Sequence, residues 1–360
     1  MAERTIGALL LGVLGGCLSP PAMHRAVLEY DRTVNRVETE LLLLNIARAR
    51  HHHPIHFTAI SGIAATFEFR ASGGIGGELG HDSPDVLSLS LAGSASENPT
   101  VSIVPVQGEE FTKRLLTPLD ETRFEFLFHQ GVDPAILLRL MARGLLVEGE
   151  GEPALALNDP DRPDAYTEFR RRVLHLSRLD AVQSLHVGPI EASAGGENGG
   201  SRIAITNVDP GRLPPEERRR LAARAAGMPR NQVLVEIRPE GTGGDLPFRG
   251  AFVLRNFKAI LTFLGRSIAD RPEFPVDPDP RTGPVPRNPA RTLEIRETRG
   301  RPGDTVFAAE ERGFWYSIGD GASAAEAEWN REGFDLLYQL YQLTVTEVKA
   351  GPLPMITIAK

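Results

Sequence analysis

The chain has 360 residues, 41% of them hydrophobic, and its 40 Lys and Arg against 47 Asp and Glu leave a formal charge of −7. That apolar content can build a real core, and the length is comfortable for two domains. The acidic balance gives no sign of nucleic-acid binding, and a single cysteine allows no disulfide within the chain.

That cysteine, Cys17, closes the stretch Leu14-Gly15-Gly16-Cys17, which follows the apolar run Ile6 to Leu14 and a short start carrying Glu3 and Arg4. The run is too short to span a bilayer, which takes roughly 20 apolar residues. Small residues ahead of a lone thiol fit a lipoprotein signal. The expectation is that residues 1–16 form a signal peptide, that Cys17 carries the acyl chains, and that Leu18, in place of an Asp, sends the protein to the outer membrane, facing the periplasm. No later run is long enough for a membrane-crossing helix, so any further bilayer contact would need strands.

Val27, Tyr30, Val34, Val37, Leu41 and Leu44 recur at spacings of three and four, which predicts an amphipathic helix widening at Leu41 to Leu44. Arg48 and Arg50 favour its C-terminal dipole, and Pro54 ends it. His51, His52, His53 and His56 follow. His51, His53 and His56 are the weak candidates for a metal, but no Cys, Asp or Glu stands near them at a known ligand spacing. The expectation is a solvated helix end with no metal and no cofactor.

From Ile63 to Leu79, and again from Leu87 to about Val106, apolar and polar residues alternate on either side of a turn-rich gap. Period-two patterning predicts a long β-hairpin over 63–106, with Phe67, Phe69, Leu87, Leu89 and Leu91 on its apolar face. That face could pack on the preceding helix, the favoured reading. Alternatively, hairpins from several copies could pool into a barrel. The glycines at 73, 74, 76, 77 and 80 lack the spacing and the following helix of a phosphate loop.

The segments Leu41 to Arg50 with Pro54 and Phe57, Glu97 to Thr100, Gly108 to Phe111 and Pro354 to Ile358 together resemble a family of uncharacterised proteobacterial lipoproteins, over most of the mature chain. The resemblance implies an envelope location and supplies no activity. It also implies structural roles for Asn45 and Arg48.

Residues 109–146 show helical spacing in three pieces, broken by Pro118, Gly131 and Pro134, and a further helix covers 166–185 with Arg170, Arg171 and Arg172 on its solvated side. Glu109, Glu110, Asp120 and Glu121 fall at helix starts, where the dipole favours carboxylates. The glycine-rich stretch 193–201 is the expected boundary between a region of 17–192 and a C-terminal domain of 201–360. Beyond it come a β-α-β unit at 202–237, a helix at 252–268, a loop at 271–289 too polar and proline-rich for a core, three strands, a helix and a last strand at 354–358. Trp315 and Tyr316 suit a core or interface better than a ligand wall.

The fold class expected is α+β: an N-terminal amphipathic helix and long hairpin, a helical middle, and a C-terminal mixed sheet domain. No Gly-x-Ser-x-Gly elbow or His-Glu-x-x-His zinc motif is present. The function expected is a non-enzymatic structural or accessory subunit of an envelope assembly, held to the membrane by lipid on Cys17 and binding a protein partner or further copies of itself. The alternatives are an export channel made of pooled hairpins, and a periplasmic hydrolase or ligand-binding protein.

Overall fold

A computed structural model describes residues 19–78, 86–149, 153–190, 201–303 and 307–345. Cys17 and the strand expected at 354–358 lie outside the described residues. The fold is α+β, and the chain divides into two compact units. One holds 19–35 with 58–78 and 86–106; the other holds 36–57 and 107–345.

Helix α1, Ser19–Arg50, contributes its first turns to the first unit. Val27 and Leu28 are exposed there, and Arg25 pairs with Glu29 one turn on at 2.9 Å. Strands β1, Phe57–Glu78, and β2, Val86–Val106, form a two-stranded sheet. Two hydrogen-bonded strands occupy the span of the expected hairpin, β1 beginning earlier than the alternation suggests, and residues 79–85 between them lie outside the described residues. The side chains of Phe67, Phe69, Leu87, Leu89 and Leu91 lie outside the described residues.

The second unit is organised by a six-stranded sheet. Helices α2, Glu109–Leu116, α3, Glu121–Phe128, and α4, Pro134–Met141, precede strands β3, Ala142–Val147, and β4, Ala154–Leu157. Helix α5, Pro163–Ala181, leads to β5, His186–Ile190. Then come β6, Arg202–Thr206, helix α6, Pro215–Ala226, β7, Gln232–Ile237, and β8, Phe248–Leu254. The strand order is β4-β3-β8-β7-β6-β5, with only β6 and β7 parallel. The crossover helix α6 packs Leu221, Ala222 and Ala225 on Ala204 and Leu234, as the expected β-α-β unit requires.

Several expectations change at this sheet. Residues 193–201 do not separate domains, because β5 and β6 on either side of them are hydrogen-bonded partners from His186–Thr206 to Ile190–Arg202. A glycine-rich composition frees the backbone locally, whereas membership of one sheet is set by strand pairing on either side. The helical spacing of 109–146 ends at Met141, since Leu145 and Leu146 pair with β8. Phe252 belongs to β8, and helix α7, Phe257–Ser267, starts only where the Asn256 side chain accepts from the Ala259 N–H.

After α7 the chain runs through the proline-rich loop to a three-stranded antiparallel sheet in the order β10-β11-β9. These strands are β9, Ile295–Thr298, β10, Ala308–Glu311, and β11, Phe314–Ile318. Positive φ at both Arg312 and Gly313 makes the tight turn between β10 and β11. Helix α8, Ala324–Val345, closes the unit.

Within this unit, α1 buries Leu42, Leu43, Ile46 and Ala47 completely. The expected stripe carried Leu41 and Leu44 instead. Those two are only half-buried and line a shallow groove with Trp315, so four consecutive leucines meet neighbours on two sides. Phe57 stacks on Tyr341 at 4.9 Å between ring centres, with Phe111 and Phe257 beyond it. Tyr338 donates to Glu38 at 2.5 Å, tying α8 to α1.

Candidate functional site

Two side chains of the histidine segment, His51 and His53, have protein partners. Tyr316 gives its hydroxyl proton to Glu297 at 2.8 Å, so its oxygen accepts from His51 Nε2 at 2.7 Å. Glu311 can only accept, so His53 donates through Nδ1 at 2.7 Å. Burial lowers the His51 pKa, and the Arg50 charge adds to that. At His56 the backbone N–H donates to Asn45 Oδ1 while its carbonyl accepts from Asn45 Nδ2 and Arg48. Asn45, fully buried, thus clasps the chain as it leaves α1. His51 and His53 are half-buried with protein partners, while His52 and His56 are exposed. Among the described residues no group of three His, Cys, Asp or Glu is placed to hold a metal.

The proline-rich loop is the larger correction. Glu273 from this loop sits at the centre of a buried polar network, with Arg139 of α4 donating to it at 3.2 Å and Tyr166 of α5 at 2.8 Å. Thr292 adds its N–H at 2.6 Å and its hydroxyl at 2.8 Å. Arg170, expected on a solvated face, is fully buried. It donates to the Tyr166 hydroxyl at 2.9 Å and to Asn288 at 2.8 Å. Burial alone would raise the Glu273 pKa; Arg139, Arg170 and Thr292 outweigh it, and the carboxyl titrates below its ordinary value. Burial raises the Tyr166 pKa well above the normal phenol range. The carboxylate, its two guanidinium groups and the phenol are all enclosed, which suits a fastener for the loop.

The carboxylates expected at helix starts divide in the same way. Asp120 caps α3 by accepting from the Arg123 N–H at 2.9 Å. Glu121, 1% exposed, instead joins α3 to the sheet through Arg202 at 2.5 Å, Arg230 at 3.0 Å and the Ile203 N–H at 3.0 Å.

A cleft of about 650 Å³ opens where the ends of β3, β4 and β8 meet α7. Its floor is Arg255, 7% exposed, whose guanidinium donates to the carbonyls of Arg139, Leu140 and Asn158 at 2.9–3.1 Å. The same guanidinium lies 4.0 Å from the Phe263 ring centre. Burial lowers its pKa to about 9, so it stays charged at neutral pH. The lining has no serine, cysteine or histidine. This arrangement is equipped to hold a ligand by charge and hydrogen bonds. The available signal in the sequence was Lys258, Thr262 and Arg266, four residues apart along one ridge of α7.

No protein-family model, curated protein or solved structure matches this chain. Among the described residues no helix is long and apolar enough to cross a membrane.

Proposed function

We propose that the protein is an outer-membrane-anchored lipoprotein, held by acyl chains on Cys17, that works without chemistry of its own as a structural or accessory subunit of an envelope assembly. The observation that carries this reading is the β1–β2 ribbon. Its strands run 22 and 21 residues, and among the described residues they pair only with each other. Strands in globular proteins usually run three to ten residues, and a lone two-stranded ribbon is marginal in water. A ribbon of this length, about 70 Å if fully extended, leaves two rows of backbone donors and acceptors in need of partners. Strands from another copy or another protein would supply them.

A second reading is favoured by the alternation of apolar and small polar residues along both strands: ribbons from several copies close into a barrel that serves as an export channel, since closure removes every free edge. Pro99 and Pro105 on β2 each lack a backbone N–H, whereas β1 has no proline.

The test is the mass and assembly state of the mature protein extracted in mild detergent, beside a Cys17→Ala form. A lipid-dependent membrane protein that joins a complex through a protected ribbon supports the subunit reading, and a homo-oligomeric ring with the ribbon protease-resistant in membranes supports the channel. A soluble monomer with an accessible ribbon, indifferent to the loss of Cys17, overturns both.

A further inference from the structure

Most arginines of the second unit are spent on carboxylates. Arg202 binds Glu121, Arg224 binds Glu148 and Glu236, Arg238 binds Glu217 and Glu236, and Arg287 binds Asp133 and Glu332. The cleft beside α7 departs from this habit. Arg143, Arg162, Lys258 and Arg266 all line it, and among the described residues none of the four has an ion-pair partner. Its one lining carboxylate, Asp159, faces Arg271 at 3.6 Å, and Arg271 is also held by Asp161 at 2.7 Å. In a chain with a net charge of −7, four uncompensated cations around one concavity make a local positive well, which low-dielectric walls deepen.

The backbone contributes to the same place. The β3–β8 pairing slips between Ala142 and Gly144, so Arg143 is the bulged residue, and a bulge re-aims the side chain it carries. Asn158, 2% exposed, lines the cleft. Its Nδ2 donates to the carbonyls of Arg139 at 2.9 Å and Ala142 at 3.0 Å. Its Oδ1 is buried with no donor from the protein. The volume falls within the range of small-molecule sites.

We propose that this cleft binds a small molecule carrying more than one phosphate, with its phosphate oxygens on Arg143, Arg162, Lys258 and Arg266. Guanidinium groups match phosphate oxygens two at a time, and the lysine adds a point charge.

The test is calorimetric titration of the whole protein with glucose 1,6-bisphosphate, with sorbitol as the uncharged polyol and phosphatidylglycerol vesicles as the lipid source of the same phosphate chemistry. Saturable binding of the bisphosphate at one site, weakened by added salt and absent with sorbitol, is expected. Lys258→Gln with Arg266→Gln should weaken it by at least about tenfold, and Arg143→Gln should weaken it as well. Arg143 and Lys258 are exposed and Arg266 is half-buried with no partner, so these variants should melt as the parent does. No saturable binding of the bisphosphate, equal binding by the double variant, or binding to vesicles alone would overturn the proposal.

Discussion

Arg139 and Glu273 meet at 3.2 Å with side chains only 1% and 0% exposed, and that pair fastens the proline-rich loop to α4. Glu273→Gln keeps the shape but leaves Arg139 and Arg170 buried without their counter-charge. Removing one partner of a buried pair costs about 3–5 kcal/mol. Urea unfolding of the variant should show a loss of that size. A loss below about 1 kcal/mol, the size of an exposed ion pair, would show the network to be dispensable.

Acid should weaken the fold in two steps. His175, 1% exposed, donates from Nε2 to the Gly243 carbonyl at 3.0 Å and accepts at Nδ1 from Thr282 at 3.2 Å. Burial lowers its pKa below the ordinary 6.5. The unfolded chain therefore takes up this proton first, and stability falls as the pH drops below 6.5. Glu273, also lowered in the fold, contributes stability that is full above its ordinary value of 4.5 and is lost as the pH falls through its folded value. Unfolding free energies measured from pH 8 to about 2 should decline first below 6.5, where His51 contributes in the same direction, and His175→Gln should reduce that first decline without touching the second. A parent curve level between pH 7 and 5.5 would rule out the His175 contribution.

Gly265 on α7 is where α1 comes closest. A β-carbon there would stand 2.7 Å from the Arg50 nitrogen and 2.9 Å from the Ile46 carbonyl oxygen. Both obstacles are backbone, so the helices themselves would have to separate. Overpacking of a fixed contact costs about 1–3 kcal/mol or more. Gly265→Ala should lower the melting temperature although alanine has a better helix propensity than glycine, and Gly265→Val should lower it further. A Gly265→Ala variant more stable than the parent would contradict this close approach.

Replacing 60–104 by a short Gly/Ser linker should leave the second unit able to fold, because its sheets and helices all lie within 36–57 and 107–345. Under the proposed function the shortened protein should keep its cooperative melt and lose its ability to assemble in detergent. Assembly unchanged from the parent would remove the ribbon from that role.

Residues that repeat locally were legible in the chain. The period of 3.6 found α1, α5 and α8, the period of two found the ribbon, and the spacing of Arg202 to Ile237 found the β6-α6-β7 unit, because each depends on neighbours a few positions away. The candidate cleft was not legible. Arg143 reaches it through a slip in pairing with a strand more than a hundred residues later, and Arg162 comes from a segment far from the α7 pair Lys258 and Arg266.

The sequence by itself therefore determined the longer helices, the paired strands of the ribbon and the class of fold, all written in short-range periodicity and composition. Only the tertiary structure decided which charged residues are structural. Arg170 and Glu273 look solvated in isolation, yet each is enclosed because its partners arrive from distant segments and offset the cost of leaving water. The same long-range arrangement leaves Arg143, Arg162, Lys258 and Arg266 around one cleft without carboxylates of their own.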